Sequence, residues 1–253
     1  MRKIALITGA TSGIGKATAL LLAANGYDVI ITGRRIELLD ELAEGIRNQT
    51  GADVLKLHFD VRLLEQVEEA IDTLSGKWTN IDLLINNAGL AVGLGPVHSG
   101  VTEDWDRMID TNVKGLLYVT RKVSQGMVER QSGHIINISS IAGREAYPNG
   151  AAYCGSKHAV QAITHAQRIE LLPYGIKVSS ICPGMVETEF SLVRFKGDLD
   201  KADNVYKGLT PLYAEDIAET ILFMVTRPQH VNIDDLLIMA TDQASARDFH
   251  REI

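Results

Sequence analysis

A single-domain, doubly wound α/β fold, with a parallel sheet of about seven strands and helices on both faces, is what the sequence predicts. Three observations carry this expectation. Short β-branched runs alternate with longer helical patterns along the chain. Several strand runs are apolar almost throughout, as parallel strands covered on both faces must be. A glycine-rich turn separates the first strand from the first helix.

Lys3 to Thr8 reads as the first strand, and Gly13 to Asn25 as a helix closed by Gly26. Asp28 to Thr32 is the second strand, followed by a helix over Ile36–Asn48. Val54 to Phe59 makes the third strand and Leu64–Leu74 the third helix. Ile81 to Ile85, His134 to Ile138 and Ile176 to Ile181 are the fourth, fifth and sixth strands. No Pro/Gly/Ser-rich linker divides the chain, so residues 1–253 are expected to form one domain. From Met185 to Lys207 the pattern turns irregular, with Gly197 and Asp198-Leu199-Asp200 inside it. Long loops of this kind are functional or are surface insertions. Because this one follows the sixth strand, it is expected at the carboxyl edge of the sheet as a substrate lid over residues 185–207.

Composition narrows the function. The 253 residues carry 25 Lys+Arg against 32 Asp+Glu, a formal charge of −7, which argues against a nucleic-acid partner. Cys154 and Cys182 are too few for a disulfide scaffold and suit a reducing compartment. Met1-Arg2-Lys3 runs straight into a strand, leaving no signal peptide, and no apolar run reaches the roughly 18 residues of a membrane helix. A cytoplasmic globular protein is expected. His98, His134, His158 and His165 show no metal-ligand spacing with the cysteines, so no metal is expected. Ser139 and Ser140 lie in no Gly-x-Ser-x-Gly elbow, which argues against a hydrolase.

The turn Thr8-Gly9-Ala10-Thr11-Ser12-Gly13-Ile14-Gly15 has the spacing Gly-x3-Gly-x-Gly. Glycine lets a backbone approach a pyrophosphate, whose charge is then stabilised by amides at a helix N-terminus. Gly9, Thr11, Ser12, Gly13, Ile14 and Gly15 are therefore candidate cofactor contacts. The second strand ends at Thr32-Gly33-Arg34-Arg35. An acidic residue there binds the ribose of NAD, whereas arginine accommodates the 2′-phosphate of NADP. No carboxylate stands there, so Arg34 and Arg35 predict NADP(H); the alternative is that they only solvate a helix start, where basic residues oppose the dipole. Tyr153 and Lys157 lie four apart on one face of a predicted helix running to Leu171. A free phenol has a pKa of about 10, and a neighbouring ammonium lowers it, making Tyr153 a general acid or base.

With Asn86-Asn87-Ala88-Gly89 after the fourth strand, Tyr153-Cys154-Gly155-Ser156-Lys157, and Pro183-Gly184 after the sixth, the chain resembles the short-chain dehydrogenase/reductase family from Thr8 to Thr188. The resemblance implies a Rossmann-type fold and an NADP-dependent alcohol dehydrogenase or reductase. It places Asp60 and Val61 at the adenine, Asn87, Ala88 and Gly89 along the adenosine, and Pro183, Gly184 and Val186 among the cofactor contacts. It also puts Thr188 on the nicotinamide carboxamide and gives Lys157 the nicotinamide ribose. The family separation selects Ser140 over Ser139 as the hydroxyl that bonds the substrate oxygen, and Asn112 as the residue holding a water for proton relay.

Phe190 to Asp198, Lys201-Ala202, His230 to Met239 and Asn87 to Ala91 are further similar to the NADP-dependent 3-hydroxy acid (serine, allo-threonine) dehydrogenase subgroup. This implies oxidation of a 3-hydroxyl in small hydroxy acids, 3-hydroxyisobutyrate among them, or reduction of malonic semialdehyde-type compounds. A carboxylate substrate needs a cation near Tyr153, with Arg194 the first candidate and Lys196 and Arg144 the others. A 3-oxoacyl-carrier-protein reductase, a broad carbonyl reductase and a non-catalytic NADP-binding protein are the competing readings. The resemblance also suggests a homotetramer, packed through the Tyr153 helix and a long helix around Val113–Val128, with Leu236–Ala240 as the last strand near another interface.

Overall fold

The computed structural model describes residues 2–252. Seven strands form one wholly parallel sheet: β1 (Lys3–Ile7), β2 (Tyr27–Gly33), β3 (Val54–His58), β4 (Leu83–Asn86), β5 (Gly133–Ile138), β6 (Ile176–Pro183) and β9 (Asp235–Ile238). Their order, β3-β2-β1-β4-β5-β6-β9, reverses direction between β1 and β4. In open α/β sheets this divergence opens the ligand crevice. The strands are apolar at nearly every position because both faces are buried. Ile7, Ile85 and Ile136 pack under α1 (Gly13–Ala24), α2 (Ile36–Thr50) and α9 (Ala214–Val225). Their neighbours Leu6, Leu84 and Ile135 pack under α3 (Leu64–Asp72) and α5 (Leu116–Arg130).

On the second face a buried amide network joins the central strands to the helices. Asn86 donates to Thr120 Oγ1 and to Asn137 Oδ1, both at 2.8 Å. Asn137 in turn donates to Thr164 and Gln167 of α6 (Ala151–Leu171), each at 2.9 Å. These bonds tie β4, β5, α5 and α6 together, because a slip would leave more buried amides unpaired; Asn86 Oδ1 itself has no hydrogen-bond partner among the described residues.

Three element expectations are corrected. The helix expected over Val113–Val128 starts earlier, as α4 (Thr102–Ile109), and passes through a π-helical turn at Asp110–Gly115 into α5. A Cβ at Gly115 would meet Val61, so glycine lets this turn press onto the loop that follows β3. The irregular run 185–207 is ordered: β7 (Val186–Glu187) pairs with β8 (Leu212–Tyr213), enclosing α7 (Phe190–Arg194) and α8 (Leu199–Asn204). The last strand is Asp235–Ile238, set two residues before the expected Ala240 end. Helices α4 and α9 were not expected at all; α9 carries a recognisable start, with Asp216 accepting from the Tyr213 amide at 2.7 Å.

His134 is buried in β5 with Nε2 2.9 Å from Ser179 Oγ. Burial, with Lys177 and Lys3 adding to it, pulls its pKa down to about 3. The folded chain therefore binds fewer protons than the unfolded chain, and stability is lost as pH falls from about 6.5 towards 3. Urea unfolding is expected to show a loss of about 2 kcal/mol between about pH 7 and 5 from this residue. A His134→Asn variant should lack that part of the slope.

Candidate active site

The crevice between β1 and β4 is a cavity of about 360 Å³ running from the ends of β2 and β3 to α6. At its floor Gly9 and Gly13 adopt φ of +65° and +49°, conformations that favour glycine. A Cβ on Gly15 would strike the Gly9 carbonyl and Asn87 Nδ2. That close approach is held from β4: Asn87 Nδ2 donates to the carbonyls of Thr8 at 2.9 Å and Gly9 at 3.1 Å. Thr8 Oγ1 accepts from the Asn87 and Ala88 amides at 3.0 and 2.9 Å. The first turn of α1 carries no acidic residue, so its amides face the crevice unopposed. Every expected cofactor contact except Gly15 lines this cavity, and Gly15 lies packed beneath it.

Arg34 and Arg35 both reach the crevice. The Arg35 guanidinium folds back over the turn, donating to Thr11 and Ser12 hydroxyls at 2.9 Å, and pairs with Glu189 at 3.0 Å. Arg34 lies 3.7 Å from the Asp60 carboxylate, which Arg62 holds at 2.6 Å. Burial acts to raise the Asp60 carboxyl, but hydrogen bonds and charge from Arg62, with Arg34 beyond, hold it below the usual range. Val61, Asn87, Ala88 and Gly89 also line this cavity. Glu189 and Arg62 were not anticipated; Glu189 directly follows Thr188, whose methyl packs where a Gly13 Cβ would sit.

At the other end, α6 presents Tyr153 and Lys157, both buried. Lys157 Nζ donates to the Ile138 carbonyl at 2.8 Å and lies 6.0 Å from the Tyr153 ring centre. Ser140 lies two residues past β5 and accepts from the Ala142 amide at 3.1 Å, while its hydroxyl also faces the Tyr153 phenol. Ser139 turns away and donates to the Lys157 carbonyl at 3.3 Å, a backbone contact. Asn112 spends its side chain on protein groups, bonding the Leu90 amide and carbonyl at 2.8 Å and Ser156 at 3.0 Å. The space a Gly89 Cβ would take lies 3.3 Å from Asn112 Oδ1 and 3.4 Å from Lys157 Nζ.

The expected lowering of the Tyr153 pKa by Lys157 is not what burial produces. Burial pushes the phenol above its ordinary value, with Tyr147 adding to it, while the Ser140 hydrogen bond and the Arg194 charge pull it back. Burial also pulls the Lys157 ammonium down to about 8. Both groups are therefore moved towards their neutral forms, as a dry site demands.

The cations proposed for a carboxylate separate cleanly. Lys196 pairs with Asp104 at 2.7 Å, and Arg144 pairs with Asp235. Arg194, among the described residues, has no carboxylate partner. Its Nη2 donates to Tyr147 Oη at 2.9 Å, and its guanidinium carbon lies 5.4 and 5.8 Å from the Tyr147 and Tyr153 ring centres. Its buried Nε has no hydrogen-bond partner. Phe190 packs edge-on to Tyr153 at 5.7 Å. Tyr147 and Gln243 were missed, and Phe190 was read only as part of the lid; Gln243 accepts from the Met185 amide at 2.7 Å, against Gly184.

The model of the family described as short chain dehydrogenase matches residues 3–197. A Salmonella typhimurium protein named NADP-dependent 3-hydroxy acid dehydrogenase YdfG is 46% identical over 244 residues, 96% of this chain and 97% of its own length. Sulfoacetaldehyde reductase 2 of Chromohalobacter salexigens is 44% identical, with 96% of each chain covered. The closed form of a serine dehydrogenase complexed with NADP+ superposes with a TM-score of 0.92 at 44% identity, covering 98% of this chain and all of the other.

Gly15→Ala sets a methyl against the Gly9 carbonyl and Asn87, and one of them must move. NADPH affinity, read by fluorescence titration, is expected to weaken by at least about tenfold.

Proposed function

The chain belongs to the short-chain dehydrogenase family, and from that premise we propose that it transfers hydride between NADP(H) and the 3-hydroxyl or 3-oxo group of a small hydroxy acid. Serine, allo-threonine, 3-hydroxyisobutyrate and malonic semialdehyde represent the substrate class. NADP(H), when bound, accepts or supplies the hydride. The residues present fit it: the Gly9–Gly15 turn leaves room no Cβ could share, and the β2 end offers guanidiniums where NAD would need a carboxylate. Arg34 and Arg35 hold the 2′-phosphate, Asp60 and Val61 border the adenine, Asn87 to Gly89 the adenosine, and Pro183, Gly184, Val186 and Thr188 the nicotinamide end.

Tyr153 gives its phenolic proton to the substrate oxygen in reduction and takes it back in oxidation. Raised by burial, the phenol stays protonated at neutral pH, which suits it to donate. Ser140 bonds the same oxygen and stabilises its developing charge. Lys157 holds the ribose and reprotonates Tyr153, and a water between Lys157 and Asn112, beside Gly89, continues the path to solvent. The segment 185–207 serves as a lid on the single domain, closing Arg194 over the substrate. A cytoplasmic homotetramer is the proposed form; Leu117 on α5 and Ile169 on α6 are exposed apolar side chains that support subunit contact there. Among the described residues no helix is long and apolar enough to cross a membrane.

The observation that carries the hydroxy-acid reading is the Arg194 guanidinium, unmatched by any carboxylate among the described residues and set against Tyr153. Arg194→Ala is expected to raise KM for 3-hydroxy acids at least about tenfold while leaving neutral alcohols much less affected. Equal effects on both classes overturn the reading. Tyr153→Phe is expected to lower kcat by about a thousandfold with NADPH binding retained, since only the transferable proton is removed. Activity near that of the unaltered protein rejects Tyr153 as the proton donor.

A further inference from the structure

Arg35 enters the cofactor crevice with all three of its guanidinium nitrogens engaged. Nε and Nη2 donate to Thr11 Oγ1 at 3.2 and 2.9 Å, and Nη2 also donates to Ser12 Oγ at 2.9 Å. Nη1 donates to Glu189 Oε2 at 3.0 Å. The contacts with Thr11 and Ser12 are to neutral hydroxyls of the glycine-rich turn, so the turn by itself places the guanidinium. What Glu189 adds is charge: its carboxylate, reaching in from the start of the lid, offsets that of Arg35. Arg34 is less committed. It lies 3.7 Å from Asp60, whose carboxylate Arg62 already holds at 2.6 Å.

Glu189 is set beside the turn by its neighbours rather than by the ion pair. A Gly13 Cβ would stand 3.1 Å from the Thr188 methyl, and Phe190 packs edge-on to Tyr153 at 5.7 Å. The Glu189 carbonyl accepts from the Val193 amide at 3.0 Å. Side-chain exposures of 46% for Arg35 and 52% for Glu189 make their pairing weak and solvent-screened. A phosphate monoester, with more charge and three acceptor oxygens, is the stronger partner for a guanidinium. It cannot use Nη1 of Arg35 while Glu189 holds it, and a carboxylate that stays nearby repels it. NAD(H) carries no 2′-phosphate and leaves the pair as it stands.

We propose that Glu189 competes with the cofactor's 2′-phosphate for Arg35, and so sets how strongly the site favours NADP(H) over NAD(H). The inference rests on the assignment of Arg35 to the 2′-phosphate. Binding of NADP(H) exchanges the Glu189 carboxylate for phosphate on Arg35, whereas Arg34 meets the phosphate without giving up a close partner. Glu189 is thus a specificity-determining residue that lowers affinity for the phosphorylated cofactor, and its neutralisation strengthens binding rather than weakening it.

The test is the Kd of NADPH and of NADH, measured by fluorescence titration without substrate, in the unaltered protein, Glu189→Gln, Arg35→Ala and the double variant. Glutamine keeps an acceptor for Arg35 and removes only the charge. Glu189→Gln is expected to tighten NADPH binding about fivefold and to leave NADH unchanged. Raising the salt to about 0.5 M should shrink that gain, because the pair is exposed. Arg35→Ala is expected to weaken NADPH selectively, and adding Glu189→Gln to it should give little further gain, since the cation in contention is gone. NADH, which shares the rest of the crevice, reports whether each variant is folded. NADPH binding unchanged or weakened in Glu189→Gln, NADH tightened equally, or an equal gain in the Arg35→Ala background overturns the inference and leaves Arg35 assigned to the phosphate. Arg35→Ala without effect on NADPH removes that assignment, and the inference falls with it.

Discussion

The contact between the Thr8–Gly15 turn and the end of β4 is the constraint on which the rest of the site depends. Asn87 spends both its amide hydrogens on the Thr8 and Gly9 carbonyls, and Thr8 returns the contact through its hydroxyl. Gly15 then lies where no side chain fits. These bonds hold the crevice open at the divergence of β1 and β4 and aim the first amides of α1 into it. They also set where β4 ends, and Gly89 with it, so the approach of Asn112 and Lys157 on either side of Gly89 follows from the same geometry.

From that frame, burial and charge divide the crevice into two chemically distinct ends. The β2–β3 end is wet and ionic, with Arg34, Arg35 and Arg62 matched by Asp60 and Glu189. These partly exposed pairs contribute little to stability. The α6 end is dry. There Tyr153 and Lys157 are each pushed towards the uncharged form, and Arg194 is the cation that faces the phenol ring. A chain of net charge −7 thus places arginines at both ends of its crevice.

Legibility from sequence follows the range of each interaction. Gly9, Gly13 and Gly15 were readable because a tight turn fixes their mutual spacing, and Tyr153 with Lys157 because a helix places residues four apart on one face. The strands were readable because burial on both faces leaves almost no polar position in them. Helix α4 was missed where its own pattern is short and runs into the π-helical turn pressed on Val61. The Arg35–Glu189 pair spans 154 positions and the Arg194–Tyr147 bond 47, and no local spacing signals either.

By itself, then, the sequence determined the doubly wound sheet, the glycine-rich turn after β1, the placing of Tyr153 and Lys157 on one helix face and the short list of cations to look for beside them. Each of these is set by residue type and by neighbours within a turn or two. Only the tertiary structure decided which cation lacks a carboxylate partner among the described residues, that burial raises the Tyr153 phenol, and that Asn112 is tied to Leu90 and Ser156. Ion pairing and desolvation depend on groups brought together from distant parts of the chain, and packing alone determines which of them meet.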